Sequence, residues 1–151
     1  AAGLPVHVQE EDAKKLVEIG VPEKSMTTHK DGDVLEIGGV RMRFVHTPGH
    51  SPGSMLCVVD GDNPGAPGNG AGIVVSGDTI FPGSCGRLDL PDADKDRMFH
   101  SLAKCAASLR DDMVVYPGHN YNSASSTIAK EKKDGLLKPF TKTQWEAMHG
   151  K

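Results

Sequence analysis

Hydrophobic positions along this chain switch between two periods, and each switch marks an element. Residues 4–9 read as a short strand and residues 10–19 as a helix, with Ala13, Leu16 and Val17 at i, i+3 and i+4. Glu10, Glu11 and Asp12 suit the positive end of that helix, Gly20 is a natural stop, and Pro22 forbids continuation. From residue 33 to 45 the period falls to two. Val34, Leu35 and Ile37 run into Gly38-Gly39, a hairpin signal, and 40–45 alternates as a half-buried strand does. Met55–Val59 is a continuous apolar run, and residues 60–72 are almost wholly turn formers, which predicts a long hairpin loop. Residues 73–75 make a short buried strand. Asp92 or Asp94 caps a helix running to about Leu109, with Met98, Leu102, Cys105 and Leu109 on one stripe. Residues 113–116 form another strand, and Ser125 or Ser126 opens a helix ending near Gly135. Thr141-Lys142-Thr143-Gln144 has the form of a capping box ahead of Trp145 and Met148. Short apolar strands interleaved with helices predict a layered α/β (α+β) class.

Composition narrows the function. The 151 residues amount to one domain, 1–151, with 37% hydrophobic and 25% charged positions. No apolar run reaches the ~20 residues of a membrane span, so no membrane partner is expected. With 17 basic against 20 acidic residues and no basic tract, nucleic acid is not the expected partner either. Three scattered cysteines do not make a disulfide framework. They suit a reducing compartment, the cytoplasm or a mitochondrial matrix. No targeting segment opens the chain, which begins Ala1-Ala2-Gly3 with no initiator Met.

Three segments share one grammar: an apolar strand, a glycine turn, then a potential metal ligand. They end in Thr47-Pro48-Gly49-His50, Ser76-Gly77-Asp78 and Tyr116-Pro117-Gly118-His119. Loops at strand ends gather at one edge of a layered α/β sheet, where ligand sites form. Two imidazoles and a carboxylate suit zinc, iron or manganese, and an aspartate can bridge two ions. The other histidines carry no such context. His7 sits in a strand, His100 on an amphipathic helix, and His29 and His149 in polar surroundings. His46 lies four residues from His50, too far along an extended segment to share an ion. Cys85, with no histidine at a telling spacing, reads as structural.

Thr47-Pro48-Gly49-His50-Ser51-Pro52-Gly53-Ser54, Ser76-Gly77-Asp78-Thr79-Ile80-Phe81, Cys85-Gly86-Arg87-Leu88-Asp89 and Tyr116-Pro117-Gly118-His119-Asn120-Tyr121 occur in that order. Together they resemble the metallo-β-lactamase fold, and within it hydroxyacylglutathione hydrolase (glyoxalase II) and its relatives. The tail, from Ser126 to the Trp145 helix, looks more like the short tail of the related persulfide dioxygenases. The resemblance implies an αββα sandwich holding one or two zinc ions. His50 would ligate the first, Asp78 would bridge and serve catalysis, and His119 would ligate the second. Arg87 and Tyr121 would meet a glutathione-type substrate. The implied reaction is hydrolysis of a thioester such as an S-(2-hydroxyacyl)glutathione by metal-activated water. The rival is iron-dependent oxygen chemistry of the persulfide dioxygenase kind, in which His50 and Asp78 would be two of three iron ligands. A third reading is an inactive family remnant serving as a binding or structural partner.

One departure qualifies the match. The family's H-x-H-x-D-H signature has no counterpart here, and the nearest string, His29-Lys30-Asp31-Gly32-Asp33, lacks its second and third histidines. The resemblance therefore implies the C-terminal part of the sandwich, with the N-terminal portion absent. Half a sandwich leaves one sheet face bare, so a covering partner is expected: the missing half or a second copy of the chain.

Overall fold

The computed structural model describes residues 3–62 and 70–150. The loop expected over 60–72 lies largely outside them. Its flanks are consistent with a hairpin, because the strands on either side pair antiparallel.

Among the described residues eight strands form two sheets. β1 (Val6–Gln9) pairs parallel with β2 (Met26–His29), joined by α1 (Glu10–Glu18) and a 3-10 turn at Glu23–Ser25. The main sheet has the order β3 (Val34–Ile37), β4 (Val40–His46), β5 (Met55–Val59), β6 (Ile73–Gly77), β7 (Val114–Pro117), β8 (Ser126–Thr127). β3 to β6 form an antiparallel meander, and β7 joins β6 in parallel after a crossover through α2 (Lys95–Ser108). β4 therefore runs the same way as β6 and β7, and all three strands end at one edge. α3 (Ile128–Lys133) and α4 (Lys142–His149) close the chain.

Alternation decides what is buried. Val45, Leu56, Val58, Val74 and Val115 come from the main sheet, and α2 adds Met98, Leu102 and Cys105. Each fully buried aliphatic side chain contributes about 1.5–3 kcal/mol. Trp145 of α4 completes this core, its indole N–H donating to the Lys95 carbonyl at 3.0 Å. The opposite face carries the cross-strand row Phe44, Cys57, Val75, Tyr116. His29 of β2 packs on Phe44, ring centroids 4.1 Å apart, whereas Val75 and Tyr116 remain 45% exposed each. One end of this face is covered and the other is open.

The structure corrects several expectations. β2 is not visible in the sequence pattern, because Met26-Thr27-Thr28-His29 buries only its last residue and its partner strand lies about twenty residues upstream. The first strand starts at Val6, two residues later than expected. The apolar face of α1 is only half-covered: none of its described residues is buried, and Val17 is exposed. Asp94 caps α2, accepting from the N–H groups of Asp96 and Arg97, while Asp92 pairs with Lys15. Neither Ser125 nor Ser126 caps α3. Thr127 does, its hydroxyl accepting from the Lys130 N–H, while the Ser126 hydroxyl donates to the buried Glu131 carboxylate. His29 and His149 are not in polar surroundings. His29 lies under Phe44 and against His7, and His149 packs on Trp145 at 4.0 Å. The capping box at Thr141–Gln144 is formed as expected.

Candidate metal centre

The three ligand-bearing loops leave the same edge of the sheet and are tied to one another. The Thr47 and Thr79 hydroxyls meet at 2.8 Å in the interior, joining the His50 loop to the Asp78 loop. The Gly118 N–H donates to the Gly77 carbonyl at 2.8 Å, joining the Asp78 loop to the His119 loop. Two glycines allow close approach. A Cβ at Gly86 would stand 2.3 Å from the Asp78 carbonyl oxygen, and one at Gly118 would stand 2.8 Å from Asp78 Oδ1.

These ties place Asp78 between two imidazoles. His50 Nε2 lies 3.1 Å from Asp78 Oδ2, and His119 Nε2 lies 3.6 Å from Asp78 Oδ1. Ligands of one zinc ion, with bonds of ~2.0–2.2 Å, sit roughly 3–3.6 Å apart, so each separation suits a shared cation. His50 is held in a defined orientation. Its Nδ1 is 3.0 Å from the Arg87 carbonyl, which can only accept, so the proton sits on Nδ1. Nε2 then faces a carboxylate oxygen at 3.1 Å, a spacing that either a proton on Nε2 or a metal ion between the two atoms satisfies. Among the described residues no three His, Cys, Asp or Glu side chains close into a complete cage. The geometry is two open half-sites sharing one carboxylate.

Around them is a cavity of about 310 Å³ lined by His50, Asp78, Phe81, Cys85, His119 and Tyr121, with Ser84, Gly86 and Arg87. Tyr121 stacks on His119 at 5.0 Å and 18°, and Phe81 meets Tyr121 edge-on at 5.5 Å. Burial pushes the Cys85 thiol up to about 11, so it is protonated at neutral pH and is no ready nucleophile. The Arg87 guanidinium is occupied on one edge, donating through Nε and one terminal nitrogen to the two Asp89 oxygens at 2.9 Å each. Its backbone serves the site more directly than its charge does.

The residues that set the His50 loop escaped the sequence reading. Asp12 accepts from the Ser51 hydroxyl at 2.7 Å and from the Gly53 N–H at 2.8 Å. His46 does not join the site, because its Nε2 is 2.8 Å from the Pro52 carbonyl, and it braces the same loop. From sequence, Asp12 was legible only as an acidic residue at a helix start.

The family model for the metallo-beta-lactamase superfamily matches residues 3–119. The chain belongs to that superfamily. A probable hydroxyacylglutathione hydrolase of Schizosaccharomyces pombe is 34% identical over 119 residues, covering 76% of this chain and 43% of that protein. The crystal structure of a metallo-beta-lactamase from Staphylococcus aureus superposes with a TM-score of 0.78 at 24% identity, over 96% of this chain and 45% of that one. TTHA1623, solved in a di-iron-bound form, superposes with a TM-score of 0.63 at 28% identity, over 89% of this chain and 65% of that one. The chain spans a little under half the length of the curated relatives it matches. No helix among the described residues is long and apolar enough to cross a membrane.

Proposed function

We propose that this superfamily member contributes one side of a metal-dependent thioester hydrolase site, acting on a substrate such as an S-(2-hydroxyacyl)glutathione. The carrying observation is the facing pair His50 Nε2 and Asp78 Oδ2, repeated less tightly by His119 and Oδ1. His50, Asp78 and His119 would hold zinc, with iron as the alternative that the di-iron relative supports. The ion supplies Lewis acidity, bringing the pKa of water toward ~7 so that no protein nucleophile is needed. The protonated Cys85 agrees with that division of labour.

This chain's residues orient the site. The Arg87 carbonyl holds the proton on His50 Nδ1 and leaves Nε2 free to coordinate. Tyr121, itself largely exposed, stacks on the His119 ring and with the buried Phe81 forms an aromatic wall of the cavity. A substrate carboxylate would meet the guanidinium edge that Asp89 leaves uncovered, because Asp89 takes only Nε and one Nη2 hydrogen. The substrate class rests on the likeness to the fission-yeast protein. Two ligands per half-site are too few, so the remaining donors would come from another polypeptide, the rest of the same gene product or a second copy. The open row at Val75 and Tyr116 supports a covering partner.

The test uses the protein expressed from its whole gene, with its metal content measured as purified, and S-lactoylglutathione with a thiol reagent. Thiol release that disappears in Asp78→Asn supports the reading. Iron content with oxygen consumption and no thiol release overturns it.

A further inference from the structure

We infer that Glu131, which lies behind the cavity wall and does not line it, is a positioning residue for His50 and Asp78. Glu131 is 1% exposed, and both its oxygens are taken by uncharged donors. The Ser126 hydroxyl donates to Oε1 at 2.5 Å, and the Gly83 N–H donates to Oε2 at 2.9 Å. Space for the carboxylate exists because residue 135 is glycine, where a Cβ would stand 1.9 Å from Oε2. Burying a carboxylate is costly, so what it grips matters.

What it grips is the turn Phe81-Pro82-Gly83-Ser84. Phe81 and Ser84 exchange backbone hydrogen bonds at 2.9 and 3.1 Å, and Gly83 at φ +77° makes the reversal. Two residues past this closed turn, the Gly86 N–H donates to the Asp78 carbonyl at 2.9 Å, and the next carbonyl, that of Arg87, receives His50 Nδ1. Asn122, three residues past His119, donates its amide to the Pro82 carbonyl at 2.9 Å. The turn is thus the common support of all three donor loops, and Glu131 is its anchor in α3. A carboxylate meets this demand because Oε2 can only accept. An amide keeps one such acceptor, which can stay on the Gly83 N–H while its NH2 turns to the Ser126 hydroxyl, so only a side chain with no acceptor releases the turn.

The inference rests on the metal-site reading for its significance but is tested without metal. Glu131→Met, which removes both acceptors at similar volume, is compared with the unaltered chain by amide hydrogen exchange and by the ¹⁵N signals of the His50 ring. Exchange at Gly83 and Gly86 should rise at least about tenfold, and the His50 ring should shift from the Nδ1–H form toward a tautomer mixture. Core amides of Leu56, Val58 and Val74 should keep their protection. Ser126→Ala, which loosens Glu131 without touching the turn, should give the same pattern at smaller amplitude. Unchanged Gly86 and His50 signals in both variants overturn the inference. So does loss of core protection in step with the turn, which would assign Glu131 to the fold alone. Failure of metal to bind the unaltered protein would count against the metal-site reading and leave this comparison readable.

Discussion

His50 Nδ1 and the carbonyl of Arg87 lie 3.0 Å apart, and this one contact decides which nitrogen of His50 faces Asp78. A carbonyl that accepts from the far nitrogen of an imidazole fixes both ring orientation and tautomer, and where such a ring binds metal its loss typically costs about 10–100-fold in affinity. The two residues are 37 positions apart in the chain, brought together by the turn that follows β6.

The sharing of Asp78 predicts an asymmetric mutational pattern. Asp78→Ala should abolish uptake at both half-sites, while His50→Ala and His119→Ala should each weaken one by about 10–100-fold. Cobalt titration of the whole-gene protein, read by visible absorption and stoichiometry, checks this. Equal losses in all three variants would contradict a bridging role.

Gly86→Ala places a methyl group 2.3 Å from the Asp78 carbonyl oxygen, against backbone rather than a yielding side chain. The expected cost is about 1–3 kcal/mol in urea unfolding, in the range of overpacked interiors. Stability equal to that of the parent would show that the loop relaxes freely.

Asp94 and Asp92 should separate cleanly. Asp94→Ala removes a cap that accepts two N–H groups and should cost about 1 kcal/mol. Asp92→Ala removes only an exposed pair with Lys15 and should stay within about 0.5 kcal/mol. Chemical denaturation of the two variants under one buffer decides it.

Stability should fall on mild acidification. Burial, and then the neighbouring His7, hold the His29 imidazole below its usual 6.5, against a smaller opposing pull from Asp33. The unfolded chain therefore binds this proton more readily than the folded one. The stabilising contribution of neutral His29 is complete above about 6.5 and is lost as pH falls through the lower folded value. His149, lowered by burial and by Lys95, acts in the same direction. Urea midpoints at pH 7.5 and 5.5 should differ less in His29→Gln than in the parent. An equal difference would remove His29 from the account.

All three thiols should be sluggish nucleophiles in the folded protein. Burial raises Cys57, pushes Cys85 up to about 11 and pushes Cys105 up to about 12. Alkylation by iodoacetamide at pH 7.5 should be slow until denaturant is added. Rapid modification of Cys85 in the native state would reopen a nucleophilic role for it.

Legibility followed the range of the interactions involved. The strands around Val45, Leu56 and Val74, the α2 stripe and the Thr141 box rest on local periodicity and contacts within one turn, so they could be read directly. β2 could not, because its four residues carry no alternation and pair with a strand placed only by folding. Thr127 takes the cap from Ser126 because the Ser126 hydroxyl is committed to the Glu131 carboxylate, a buried contact that the local pattern of residue types does not mark.

At the site the division is sharper. Sequence alone determined that His50, Asp78 and His119 each follow a glycine turn at the end of an apolar strand, and so come to one sheet edge. Only the tertiary structure decided that Asp78 stands between the two imidazoles, that Arg87 serves through its carbonyl while Asp89 holds its charge, and that Asp12 and His46 brace the His50 loop. The physical reason is directional. Hydrogen bonds of about 3 Å between residues tens of positions apart depend on how strands register and loops cross, and residue type does not encode that geometry position by position.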